Sequence, residues 1–204
     1  MRTCASGSRL VTLCAAALAA SACATSGAPP PGPGDAAGGF TVSERVRAGA
    51  SLRGDFARAV ELLGQERYEA GIALLVAVTE AEPRLTAAHI DLGIAYGRTG
   101  DLERAKASLE RALALNPRHP VAHNELGIVL RRLGRFAEAR RSYERALELH
   151  PDFHFARRNL AILCDLYLAD PDCALAHYEL YARSVPADES ATRWIADLRG
   201  RTER

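Results

Sequence analysis

Residues 86–119, TAAHIDLGIAYGRTGDLERAKASLERALALNPRH, and residues 120–153, PVAHNELGIVLRRLGRFAEARRSYERALELHPDF, are two 34-residue readings of one pattern. Leu92-Gly93, Tyr96, Gly100, Ala105, Leu109, Ala112 and Pro117 in the first answer to Leu126-Gly127, Leu130, Gly134, Ala139, Tyr143, Ala146 and Pro151 in the second. Pro83 closes the preceding segment at the same interval. A period in this range marks a helical-repeat array, in which each unit buries its apolar flank only against its neighbours. Within each segment the apolar spacing of three and four residues reads as two amphipathic helices. Gly100-Asp101 and Gly134-Arg135 interrupt that spacing where a chain reversal needs a left-handed residue. Small residues at Gly93 and Ala105, and at Gly127 and Ala139, imply that the two helices of a hairpin approach closely there.

These residues resemble the tetratricopeptide repeat family, whose pattern runs W-x2-L-G-x2-Y, then A-x3-F, then P. The resemblance implies an all-α fold, a right-handed superhelical stack of helical hairpins with a C-terminal capping helix. Outward from the two clear copies, residues 52–85 read as a degenerate first repeat that keeps Tyr68, Gly71, Leu75, Val78 and Pro83 but places Ala59 where the later copies have glycine. Residues 154–187 read as a divergent fourth, in register through Leu160-Ala161, Cys164, Ala174, Tyr178, Tyr181 and Pro186 if one residue is inserted near Asp170-Pro171-Asp172. Residues 188–204 form the cap and tail, with Ala191, Trp194, Ile195 and Leu198 on one face. Seven or more helices are expected.

The N-terminal 39 residues have another composition. Residues 1–22 carry Arg2 and Arg9 and then an apolar run too short to span a bilayer, the layout of an export signal. Ala20-Ser21-Ala22-Cys23 resembles the bacterial lipobox, with Ala20 where that motif most often has Leu; the resemblance implies a lipidated Cys23 as the mature N-terminus. The alternative is ordinary cleavage near Ala22 and a soluble exported protein. Residues 24–39 contain no aliphatic side chain larger than alanine and read as a Pro/Gly-rich tether spanning roughly 20–50 Å. Residues 40–51 lead into the stack. Cys4 and Cys14 depart with the leader, so Cys164 and Cys173 remain as an even pair in an oxidising compartment, and the reversal at Asp170-Pro171-Asp172 brings them within disulfide reach. Two buried thiols are the alternative.

Lys plus Arg number 26 against 25 Asp plus Glu, a balance without the basic stripe that phosphate neutralisation requires, so no nucleic-acid partner is expected. No HExxH, GxSxG, phosphate-binding glycine loop or CxxC is present, so neither an enzyme nor a cofactor, metal or small-molecule substrate is expected. His89 and His123 stand 34 apart and read as packing residues, and Pro151 breaks the helix that would align His150 with His154 as ligands.

In the resembled family the first helices of successive hairpins line a concave groove that takes an extended segment or a helix of a partner protein. Carried onto this chain, the groove residues are Ile90, Ile94 and Arg98, then Asn124, Ile128, Arg131 and Arg132, then Arg158, Ile162 and Asp165. The lysines of the family's carboxylate-clamping subset are missing. The leading expectation is a non-catalytic scaffold, lipid-anchored to the outer membrane with its folded part in the periplasm, similar in layout to repeat lipoproteins that assist outer-membrane, pilus-secretin or gliding-motility assembly. Outer-membrane placement follows by analogy, since Ala24 is not the Asp linked to inner-membrane retention. The alternative is a non-catalytic regulatory partner of a periplasmic peptidoglycan synthase or hydrolase.

Overall fold

The computed structural model describes residues 49–203, so the leader, Cys23, the tether and most of the lead-in lie outside the described residues. Among those described, nine helices follow one another: α1 (Ala50–Gly64), α2 (Tyr68–Ala81), α3 (Thr86–Thr99), α4 (Leu102–Leu115), α5 (Pro120–Arg132), α6 (Phe136–Leu149), α7 (His154–Leu166), α8 (Pro171–Ser184) and α9 (Glu189–Thr202). The first eight pair into four hairpins, and α9 covers the end. The fold is an all-α stack of tetratricopeptide-type hairpins.

Each hairpin turns through one left-handed residue: Glu66, Gly100, Gly134 and Ala169. The intervals are two of 34 and a last one of 35, which places the extra residue of the fourth repeat in the turn 167–170, just ahead of the Pro171 that starts α8. Asp101 and Asp170 cap the helices that follow, their carboxylates accepting from the backbone N–H of Arg104 and Cys173 at 3.1 Å. Pro120 and Pro171 sit in the first turns of α5 and α8, where a missing N–H costs nothing.

The close approach within a hairpin has a specific cause. A Cβ built on Gly93 would lie 2.5 Å from Cγ of Leu109, and one on Gly127 would lie 2.5 Å from Cε1 of Tyr143. Large side chains of α4 and α6 thus lie flat on the backbones of α3 and α5. Leu75, Leu109, Tyr143 and Tyr178 occupy this place in the four repeats, and each is at most 2% exposed. Burying side chains of this size contributes about 1.5–3 kcal/mol apiece, which makes this ladder the spine of the core.

Consecutive repeats are also tied through the backbone. His89 Nε2 and His123 Nε2 donate to the carbonyls of Pro83 and Pro117 at 3.1 and 3.0 Å, and Arg157, one repeat further, donates to Pro151 O. These residues therefore hydrogen-bond the turn that precedes their own helix.

The outer end is closed by α9, whose Ala191 and Leu198 are buried and whose Trp194 ring lies 5.4 Å from Tyr178 and 6.4 Å from Tyr181. Among the described residues the first helices α1, α3, α5 and α7 touch one another directly, and successive second helices meet at most marginally. The first helices therefore line the shorter, concave wall. Among the described residues no helix is long and apolar enough to cross a membrane.

Candidate functional site

Because the repeat is 34 residues, side chains of one type fall into rows across the concave wall. Val60, Ile94, Ile128 and Ile162 form one row, Arg98 and Arg132 a second, and Asp91, Glu125 and Asn159 a third. Two contiguous clefts open on this wall. One, of about 430 Å³, lies between α5 and α7 and is walled by Val121, Asn124, Ile128, Phe155, Arg158 and Asn159; the other, of about 270 Å³, lies between α3 and α5 against Ile94, Val129 and Arg132. Arg98, Glu125 and Ile128 border both and join them into one groove.

The groove has an apolar floor and a positive rim. Among the described residues Arg98 makes no hydrogen bond or ion pair and is exposed. Arg132 donates to the carbonyl of Gly97. The Arg158 guanidinium lies 5.7 Å from the Phe155 ring centre and 5.8 Å from that of Tyr181, and its Nε is buried without a hydrogen-bond partner among the described residues. A buried guanidinium N–H left unsatisfied is costly and calls for an acceptor.

A polar chain runs along the wall between these arginines. Asn159 Nδ2 donates to Asn124 Oδ1 and Asn124 Nδ2 donates to Glu125 Oε1, both at 2.9 Å. Burial pushes the Glu125 carboxyl above its ordinary value, opposed by the Asn124 hydrogen bond and the Arg98 charge. Asp91, one repeat earlier, has no partner among the described residues, and burial alone pushes it up to about 7.

Of the groove residues expected from sequence, Ile94, Arg98, Asn124, Ile128, Arg132 and Arg158 line the clefts. Four do not. Ile90 is 5% exposed and belongs to the core cluster against which Leu52 and Phe56 pack. Arg131 turns to the α7–α8 turn, where it donates to Tyr167 Oη at 3.2 Å and lies over that ring. Ile162 packs into the core cluster around Tyr178. Asp165 is taken by the cap, pairing with Arg201 at 2.6 Å and accepting from Tyr178 Oη at 3.4 Å. Glu125, Asn159, Val121 and Phe155 line the groove without having been expected; the 34-residue interval separating Asp91, Glu125 and Asn159 was the available signal.

Cys164, at the end of α7, and Cys173, in the first turn of α8, are joined in a disulfide with Cα atoms 5.9 Å apart. Asp170 lies against it, within 4.8 Å of both sulfurs, but bonded sulfurs offer no thiolate to a metal. Its carboxylate instead caps α8 and pairs with Arg140 of the preceding repeat at 3.1 Å.

Residues 90–152 match the tetratricopeptide repeat family. Among solved structures, MamA from Desulfovibrio magneticus RS-1 is similar at a TM-score of 0.68 and 18% identity, over 76% of this chain and 87% of that one. Pseudomonas aeruginosa pilF is similar at a TM-score of 0.69 and 21% identity, over 75% of this chain and 69% of that one. An O-GlcNAc transferase of Thermobaculum terrenum shares the fold at 0.62 and 29% identity over 69% of this chain but only 27% of its own. The first TPR of Spaghetti (RPAP3), solved bound to the HSP90 peptide SRMEEVD, is similar at 0.56 and 24% identity over 58% of this chain and 93% of its own. No curated protein matches. The described residues thus share with these structures the fold of a stack of tetratricopeptide-type hairpins.

Proposed function

We propose that the protein is a non-catalytic scaffold whose concave groove holds a segment of a partner protein, and that it is lipid-anchored through Cys23 to the outer membrane, with the stack in the periplasm assisting assembly of an envelope complex such as pilus secretin, motility or outer-membrane machinery. The observation that carries the binding reading is the continuous groove along α3, α5 and α7, apolar at Ile94 and Ile128 and bordered by the uncommitted Arg98. An apolar floor with a few convergent polar groups is the usual chemistry of a recognition site. The peptide-bound Spaghetti structure supports the reading, since the same kind of stack holds a peptide there. The envelope reading is supported by the leader, the Ala20-Ser21-Ala22-Cys23 motif and the tether.

A photo-crosslinking side chain at Ile128, with Arg111 on α4 as control, tests the groove in intact cells. The expected result is an envelope protein captured at Ile128 only; equal capture at both positions overturns the reading. A captured wall synthase or hydrolase would point instead to regulation of that enzyme. For the anchor, metabolic lipid label is expected on the mature protein and absent from the Cys23→Ser variant, and unlabelled wild-type protein overturns it.

A further inference from the structure

Three side chains that meet at the α7–α8 turn form a ligand set once the disulfide is open. Cys164 Sγ, Cys173 Sγ and a carboxylate oxygen of Asp170 all lie within 4.8 Å of one another. Around a tetrahedral zinc ion, sulfurs stand about 2.3 Å and carboxylate oxygens about 2.0–2.2 Å from the metal, which puts neighbouring ligand atoms roughly 3.4–3.8 Å apart. Two unbonded sulfurs in van der Waals contact are already close to that separation. The sequence carries no zinc motif here, since the cysteines are nine residues apart; the chain reversal alone assembles the set.

The disulfide is not what brings these residues together. The Asp170 N–H donates to the Cys164 carbonyl at 3.0 Å, and the Cys173 N–H donates to Asp170 Oδ1 at 3.1 Å. Tyr167 and Leu168 close the same turn by donating to the Leu163 carbonyl, both at 3.1 Å. None of these bonds involves sulfur, so the turn retains its own ties when the sulfurs part.

Access and charge suit a soft divalent ion. Cys164 is fully buried, whereas Cys173 and Asp170 are partly exposed, so an ion can enter from their side and keep a water in its fourth position. Two thiolates and one carboxylate carry three negative charges, and Arg140, paired with Asp170 at 3.1 Å, leaves two. A divalent cation neutralises the cluster, and thiolate ligands favour zinc over magnesium or calcium.

We propose that the α7–α8 turn is a redox-gated site for a thiophilic divalent cation such as zinc, held by Cys164, Cys173 and Asp170 when the disulfide is reduced and excluded when it is formed. A dithiol donor opens the bond: its two thiols become a disulfide, and Cys164 and Cys173 each gain one electron and one proton. The cation then displaces both protons and binds the two thiolates. A coordinate tie thereby takes the place of the covalent one, and the fourth hairpin stays fastened in either redox state.

The test uses the full-length chain carrying Cys4→Ser, Cys14→Ser and Cys23→Ser, in which Cys164 and Cys173 are the only thiols. The protein is reduced with dithiothreitol, freed of reductant without air and titrated with Co2+, a spectroscopic substitute for zinc. A thiolate-to-cobalt charge-transfer band is expected, saturating at one ion per chain, lost on adding Zn2+ and missing from the oxidised chain. The further changes Cys164→Ala with Cys173→Ala should abolish it. Asp170→Asn, which keeps an oxygen to cap α8, should bind about tenfold more weakly. Zn2+ should raise the thermal midpoint of the reduced chain and leave that of the oxidised chain unchanged. The proposal is overturned by a reduced chain without the band, by an equal band in the oxidised chain, or by unchanged affinity in Asp170→Asn. Saturation at half an ion per chain with doubled size on gel filtration also overturns it, since the ligands then come from two molecules. So does a helical circular-dichroism signal that is lost on reduction and not regained with Co2+, because no turn is then left to hold the ion.

Discussion

The third and fourth hairpins have the same architecture but are held in different ways. The third obeys the local rules: glycine at the left-handed turn, glycine at the helix crossing, and a three-residue connection. The fourth breaks each of them, with Ala169 at a φ of 49°, Ala161 at the crossing and a four-residue turn. It carries fastenings the third lacks, the Cys164–Cys173 disulfide and the α9 cap with Arg201 on Asp165, and it is tied to the third by the Arg140–Asp170 pair. The cap also removes Asp165 from the concave wall. Where a repeat gives up its turn and crossing residues, covalent and tertiary ties hold it in place, and the cation row of the groove stops.

The largest effect expected in this comparison is at the third hairpin's crossing. Gly127→Leu drives a side chain into Tyr143 and should cost about 3 kcal/mol in urea unfolding. An unchanged midpoint would mean that Tyr143 can leave its place and that the crossing is not tight.

Next comes the fourth hairpin's staple. Cys164→Ala with Cys173→Ala should cost about 2 kcal/mol, since closing a short loop restricts the unfolded chain. Amide exchange should accelerate first in α7, α8 and α9 and leave α3 to α6 protected; uniform acceleration would show one cooperative unit instead.

Asp91 gives a pH-dependent test inside the central pair. Its folded value is raised to about 7, so the folded state holds the proton more tightly than the unfolded state, and stability falls as pH rises from about 4 to 7. Asp91→Asn should therefore stabilise the protein by about 1–2 kcal/mol at pH 8 and by nothing below pH 4, read from thermal midpoints across that range. A pH-independent gain would mean burial is not the cause.

The smallest effects have opposite signs at equivalent positions. Ala169→Gly should stabilise by about 1 kcal/mol and Gly134→Ala should destabilise by a similar amount, because both sites are left-handed and only one carries the residue suited to it. Equal signs in chemical denaturation would show that the turns are not equivalent.

Much of this was legible in the chain. The interval between Gly93 and Gly127 and the prolines at its ends set the hairpin boundaries, and the even pair of cysteines across a chain reversal anticipated the staple. The groove was legible in part. Ile94, Ile128, Arg98 and Arg132 follow from helical register, which fixes the direction a side chain leaves its helix. Ile90, Arg131 and Asp165 leave their helices in comparable directions, yet a core cluster, the Tyr167 ring and Arg201 claim them first. Those competitors lie elsewhere in the chain, and no local pattern announces them.

The sequence by itself determined the repeat, its length, the helical hairpin and the rows that recur every 34 residues, because periodicity and turn chemistry are local properties of the chain. Only the tertiary structure decided which members of those rows remain open to a ligand. That depends on what packs beside each helix, from the ring at Tyr167 to the cap at Arg201, and packing is a property of neighbours rather than of any one segment.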